Sequence, residues 1–259
     1  MKEHTALPSF QKDVSNPFVQ CPAWSGFSWL KHGSSTRSLP QNRSDRLADV
    51  ITMQSLMGIE NQPVVLLNQC HTANVALLTE RPEVTGSSGG PAMVYEQTDA
   101  IVATTPGVTC AIFTADCVPI FVVDIKNQII GLAHAGWKGT LYGIARTMVS
   151  RMIKVGASAD YMTAWIGPSI RRAHYEVSPE MINRFNEAFA DERKAGCNFT
   201  EGRLLDLPML NRFLMERMGI ASAKIFDCGI CTFANSSSFH SYRAAGESAG
   251  RIVSLISLA

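Results

Sequence analysis

The apolar positions of this chain change period many times. Over residues 45–57 they recur at the helical spacing, which predicts a helix with Ser44 as N-cap and Gly58 as its stop. "PVVLLNQCH" is a compact apolar run and predicts a strand that ends at His71. Residues 84–92, "VTGSSGGPA", predict a flexible loop. The longest apolar region then reads as four short strands, "DAIVATT", "VTCAIFTADC", "PIFVVD" and "QIIGLAHA". Pro106-Gly107, Pro119 and Lys126-Asn127 punctuate them. Apolar residues at Leu141, Ile144, Met148, Met152 and Val155 predict one helix through "GTLYGIARTMVSRMIKV", stopped at Gly156.

"YMTAWIG" predicts a further strand, and "SPEMINRFNEAFAD" a helix capped by Ser178 with Pro179 at its first position. "DLPMLNRFLMERMG" predicts a helix between Asp206 and Gly219, and "KIFDCGICTF" and "RIVSLIS" predict late strands. Helices mixed with runs of adjacent strands favour an α+β or layered α/β domain over a doubly wound parallel fold. No shift in composition marks a boundary. The expectation is a polar N-terminal arm over residues 1–22 and a single domain over 23–259.

Composition narrows the classes of function. The 259 residues are 46% hydrophobic, enough for a large core. A net charge of +1 gives no nucleic-acid surface, and no apolar run approaches the roughly 20 residues that cross a membrane. The N-terminal stretch has no secretory apolar region. Seven scattered cysteines form no disulfide framework, so a reduced cytoplasm is the expected setting. "CGIC" lacks the second pair of a zinc ribbon, and loop residues follow it where a redox motif needs a helix.

Three predicted strand ends carry soft or borderline metal ligands: His71, Cys117 and His134. Two imidazoles and one thiolate suit zinc, and three protein ligands with a fourth position open describe a catalytic site. Zinc there lowers the pKa of a bound water toward about 7. Buried cysteines are commonly small core hydrophobes, and histidines at strand ends are commonly only hydrogen-bonded. The spacing matches no compact zinc-finger signature. Arg37 and Arg243 sit in loops of small residues, a setting that suits anions or polar ring edges.

Five stretches in order resemble the laccase-domain purine nucleoside phosphorylase family, long labelled multicopper polyphenol oxidases. They are "DAIVATTPGVTCAIFTADCVPIFVVD", "GLAHAGWKGTLYGI", "IGPSIRRAHYEV", "DLPMLNRFL" and "CTFANSSSFHSYRAAGESAGR". The resemblance implies an α+β fold, a layered α/β/α/β sandwich with mixed sheets in one domain. It implies zinc held by His71, Cys117 and His134, with copper the less favoured metal. It implies phosphorolysis of adenosine, inosine and methylthioadenosine, and deamination of adenosine, by a monomer or homodimer. Expected catalytic residues are the three ligands and Asp116, which adjoins Cys117 but on a strand would face away from it. Expected substrate contacts are Arg37, Gln69 and Arg243, with purine nucleosides and phosphate as the small-molecule partners. Departures from the family pattern are Thr72 after His71, Lys138 after "HAGW", Ser169 in "IGPSI" and Ala244 after "SYR". An alternative is a Cys-His amide hydrolase acting on muramyl peptides, with Cys117 as nucleophile. A copper oxidase needs about ten histidines in HxH pairs and a His₂Cys site. This chain has six histidines and no HxH.

Overall fold

A computed structural model describes residues 16–40, 45–83 and 93–259. The predicted loop over residues 84–92, the Ser44 cap and most of the N-terminal arm lie outside the described residues. The strands are β1 (Phe18–Val19), β2 (Leu30–Ser35), β3 (Val64–Leu67), β4 (Val75–Leu78), β5 (Met93–Tyr95), β6 (Ala100–Ala103), β7 (Val108–Thr114), β8 (Val118–Asp124), β9 (Ile129–Ala135), β10 (Met162–Ile166), β11 (Thr200–Glu201), β12 (Leu204–Leu205), β13 (Ile225–Asp227) and β14 (Ile252–Leu258). The helices are α1 (Arg46–Met57), α2 (Trp137–Leu141), α3 (Ile144–Lys154), α4 (Pro179–Ala188), α5 (Ala190–Lys194), α6 (Leu207–Arg217) and α7 (Tyr242–Ala245).

Two mixed six-stranded sheets form, in the orders β1-β2-β14-β7-β3-β5 and β13-β10-β8-β9-β6-β4. Their inner faces pack directly on each other through Val65, Ile112 and Ile252 from the first and Phe121, Leu132 and Trp165 from the second. Helix α1 covers the outer face of the first sheet with Val50, Met53 and Met57. Helices α3, α4 and α6 cover the outer face of the second. The α+β class with mixed sheets is as expected. The layers run helix, sheet, sheet, helix rather than the expected α/β/α/β, because the inner faces of the two sheets bury each other and helices cover only the outer faces.

Several elements differ from their predicted bounds for local reasons. Asp45 caps α1, accepting the backbone N–H groups of Leu47 and Ala48. The helix expected after His134 breaks in two, because Gly143 sits at φ +78° between α2 and α3. Phe18 and Val19, assigned by pattern to the polar arm, pair with β2. The strand expected through Cys117 ends at Thr114, and the run after Asp227 is loop. Among the described residues, no helix is long and apolar enough to cross a membrane.

Candidate functional site

From β3 to β8 the chain passes repeatedly between the two sheets. The β3–β4 crossing carries His71, the β5–β6 crossing ends in Asp99, and the β7–β8 crossing carries Cys117. His134 lies on β9 opposite Pro119 of β8, which brings its ring beside the third crossing. The ligand atoms of His71, Cys117 and His134 all lie within 4.8 Å of one another. Around a four-coordinate zinc with bonds of about 2.0–2.3 Å they would lie roughly 3.3–3.8 Å apart, so a small inward adjustment closes the set. Gly136 makes room for it. A Cβ there would meet His71 Cδ2 at 2.8 Å and Cys117 Sγ at 3.0 Å.

One carboxylate organises this floor. Asp99, fully buried, accepts the backbone N–H groups of Cys70, His71 and Thr72 and the Thr72 hydroxyl. It also lies 2.8 Å from His134 Nδ1. The three main-chain bonds hold His71 at φ +59°, a left-handed conformation that a non-glycine residue adopts only when its surroundings impose it. The bond to Nδ1 directs the other ring nitrogen of His134 toward the metal position. Burial raises the Asp99 pKa, but His134 and Thr72 outweigh it and hold the carboxyl down at about 2.

Half-buried Cys117 and buried His134 shift in opposite senses. Burial pushes the Cys117 thiol up, yet the charge of His134 and hydrogen bonds from both histidines bring it down to about 6. Burial pushes His134 down, yet Cys117 and Asp99 raise it to about 9. Each of the two thus favours the other's charged form while no metal lies between them. A metal ion takes the thiolate directly and displaces the imidazole proton.

Above this floor opens a pocket of about 610 Å³, within the usual range for small-molecule sites. Phe113, Trp137, Tyr175 and Tyr242 give it aromatic walls, and Arg46, Arg243 and Arg251 give it positive charge. Gln69 lines it too, but its amide is used on the main chain. Nε2 donates to the Phe113 carbonyl and Oε1 accepts the Phe113 N–H, both at 2.8 Å, which fixes that wall.

Asp116 is on a turn at φ +84°, so the alternation of a strand does not apply, and it lines the pocket together with Cys117. Its carboxylate accepts the Thr232 hydroxyl and the Arg243 backbone N–H, each at 2.6 Å. Arg243 reaches the wall, with its guanidinium 5.3 Å from the Tyr175 ring centre. Arg37 does not line the pocket. It is exposed, and its Nε donates to the Phe239 carbonyl.

Sequence reasoning missed Asp99, Arg46, Arg251 and Tyr175. Asp99 had a faint signal, as a lone acid opening the apolar run "AIVA". Arg46 and Arg251 stand at opposite ends of the chain, and only the sheet order joins them.

The family model described as multi-copper polyphenol oxidoreductase laccase matches residues 34–259. Adenosine deaminase RL5, from an unknown prokaryotic organism, is 32% identical over 203 residues, 78% of this chain and 77% of that protein. A purine nucleoside phosphorylase of Deinococcus radiodurans is 32% identical over 241 residues, 93% of this chain and 85% of its own. The crystal structure of the Bacillus licheniformis hypothetical protein YfiH superposes with a TM-score of 0.76 at 27% identity, covering 95% of this chain and 98% of that one. With its His-Cys-His floor, its two-sheet fold and these matches along nearly its whole length, the chain belongs to the multi-copper polyphenol oxidoreductase laccase family, whose members include proteins named as purine nucleoside phosphorylases.

Proposed function

We propose that this chain is a zinc-dependent purine nucleoside enzyme. It cleaves adenosine, inosine and methylthioadenosine with phosphate and deaminates adenosine to inosine. The observation that carries this is the convergence of His71, Cys117 and His134 beneath a pocket that is both aromatic and arginine-lined. Aromatic faces suit a purine, and guanidinium groups suit phosphate. Relatives named as a purine nucleoside phosphorylase and an adenosine deaminase support the same substrate class. Zinc bound there supplies a Lewis acid for polarising substrate or activating water.

The chain's own residues prepare the site. Asp99 fixes the orientation of His134 and the turn of His71. Gln69 holds the Phe113 wall, and Asp116 positions the main chain of Arg243. In phosphorolysis a phosphate oxygen bonds to the ribose C1′ while the C1′–N9 bond breaks. The purine leaves with the electron pair and gains a proton. Arg243 and the other pocket arginines offset phosphate charge. The donor set provides one centre of three ligands among the described residues, which suits a single zinc better than a multinuclear copper cluster.

A second reading draws on the same floor. Cys117, His134 and Asp99 are ordered as nucleophile, base and orienting acid, the arrangement of a Cys-His amide hydrolase. A thiolate bound to zinc is a poor nucleophile, so metal content separates the two. The deciding experiment incubates pure protein with inosine or adenosine, with and without phosphate, and identifies products by mass. The expected products are ribose 1-phosphate from inosine only when phosphate is present, and inosine from adenosine without it. Free ribose released at the same rate without phosphate would make the protein a hydrolase.

A further inference from the structure

A second cavity, of about 560 Å³, lies where α3 packs on the edge strand β4. Its volume is within the usual range for small-molecule sites, and it shares no lining residue with the metal pocket. Helix α3 supplies most of its wall. The helix buries Ala145, Met148, Val149 and Met152 against the second sheet. It lines the cavity with Arg146, Ser150, Arg151 and Lys154, at the three- and four-residue spacing that gathers side chains on one helix face. Ala73 and Val75, around the start of β4, and Met218, just after α6, close the other side with apolar surface.

Among the described residues that line this groove, three are cationic, none is acidic and none is aromatic. The three cations differ in what holds them. Arg146 is partly neutralised, since its Nη1 donates to Glu192 Oε1 at 3.1 Å and its guanidinium lies 5.7 Å from the centre of the Phe189 ring. That ion pair fixes one edge of the guanidinium in place. Lys154 is exposed in the last turn of α3, where a helix C-terminus favours a cation, so its charge alone points to no ligand. Arg151 is the exception. Its Nε is buried and finds no acceptor among the described residues. A charged donor kept from water without an acceptor is costly, and a merely solvated helix face would not place it there. An anion bound in the cavity that Arg151 lines can take that donor.

We propose that this groove is a second binding site, separate from the metal pocket, for a small phosphate ester held by Arg151, Lys154 and Arg146. The inference goes beyond the nucleoside reading and does not depend on it. Guanidinium groups pair with phosphate oxygens two at a time, and the lysine adds a point charge. Ser150 can donate its hydroxyl to a further oxygen. The apolar side, at Ala73, Val75 and Met218, suits the carbon part of an ester. No aromatic face lines the groove to stack a base, so a sugar phosphate fits it better than a nucleotide.

The test titrates ribose 5-phosphate, ribose and adenosine 5′-monophosphate calorimetrically into the full-length, metal-loaded protein. It compares wild type with Arg151→Ala, Lys154→Ala and Arg151→Lys, and thermal midpoints check that each variant folds. Wild type should bind ribose 5-phosphate, and ribose at least about tenfold more weakly, since the phosphate carries the affinity. Each alanine variant should weaken ribose 5-phosphate by about 10- to 100-fold. Arg151→Lys keeps the charge but not the fork of donors, so its affinity should fall between wild type and Arg151→Ala, and it guards against a misfolded alanine variant. No binding of ribose 5-phosphate by wild type, or equal binding by both alanine variants, would overturn the site. Binding lost in Arg243→Ala but kept in Arg151→Ala would overturn it by placing the ligand in the metal pocket. Adenosine 5′-monophosphate bound at least about tenfold more tightly, with the same dependence on Arg151, would overturn the sugar phosphate in favour of a nucleotide. Retention on phosphatidylserine vesicles that Lys154→Ala abolishes, without binding of ribose 5-phosphate, would make the groove a membrane contact instead.

Discussion

His134 and His32 are buried to almost the same depth, at 3% and 2% exposed, and they have opposite chemistry. His134 lies on β9 with Asp99 on one ring nitrogen and Cys117 beside it, and its pKa is raised to about 9. His32 lies on β2 among Trp24, Phe121 and Trp165. Its Nε2 accepts the Cys21 backbone N–H, and burial without a charged partner lowers its pKa to about 3. Depth alone therefore does not mark a functional histidine. A carboxylate and a thiol within reach favour the charged form of a buried imidazole, whereas aromatic neighbours leave it a neutral core residue.

Removing each ring breaks this comparison most sharply. Cys117→Ala or His134→Ala should lose the metal, from about one ion per chain to almost none by elemental analysis. Nucleoside turnover should fall by more than the roughly 10²–10³-fold that one electrostatic donor contributes. His32→Ala should keep the metal. It should instead cost about 2–5 kcal/mol of stability, through the cavity it leaves and the stranded Cys21 N–H, read by denaturant unfolding. Wild-type metal occupancy in both ligand variants would show that the floor does not bind metal.

A smaller effect separates the ring from its partner. Asp99→Asn keeps the size of the side chain but removes the charge that His134 and three backbone N–H groups address. Metal affinity, measured by chelator competition, should drop by about 10- to 100-fold. An unchanged affinity would leave Asp99 as a purely structural brace for the β3–β4 crossing.

These contrasts explain what the sequence could and could not carry. His134 and Cys117 stand within contiguous motifs, "HAGW" and "TADC", so their chemistry is local and readable. Helices α4 and α6 are equally local. Ser178 with Pro179, and Asp206, cap them where the pattern predicts. The break at Gly143 is hidden, because Leu141 and Ile144 keep the helical period on both sides of it. The turn at Ala115–Cys117 falls earlier than the break expected at Pro119, because Pro119 is accommodated within β8. Asp99 is only faintly marked, as a lone acid opening an apolar run, because the groups it binds come from other segments. Arg46 and Arg251 become neighbours only once α1 packs over β7 and β14 lies beside it. Spacing reveals ligands, and sheet order reveals the cationic wall.

The smallest effect tests the neutral histidine by pH. His32 has a folded pKa of about 3, below the value near 6.5 that it takes when unfolded. The unfolded chain therefore binds the extra proton first as the solution is acidified. The stability that His32 contributes is fully present above about pH 6.5 and is lost as pH falls toward 3, by at most about 1.4 kcal/mol per pH unit. Asp99, held at about 2, loses its contribution as pH falls from about 4 through 2, below the interval that isolates His32. Between about pH 6.5 and 4.5 the decline in stability should thus carry a visible His32 share. His32→Gln should start from a lower stability but show a shallower decline over that interval, measured as unfolding midpoints at half-unit steps. Parallel curves for the variant and wild type would mean that the buried ring is not kept neutral, and that its contrast with His134 is one of position rather than of charge.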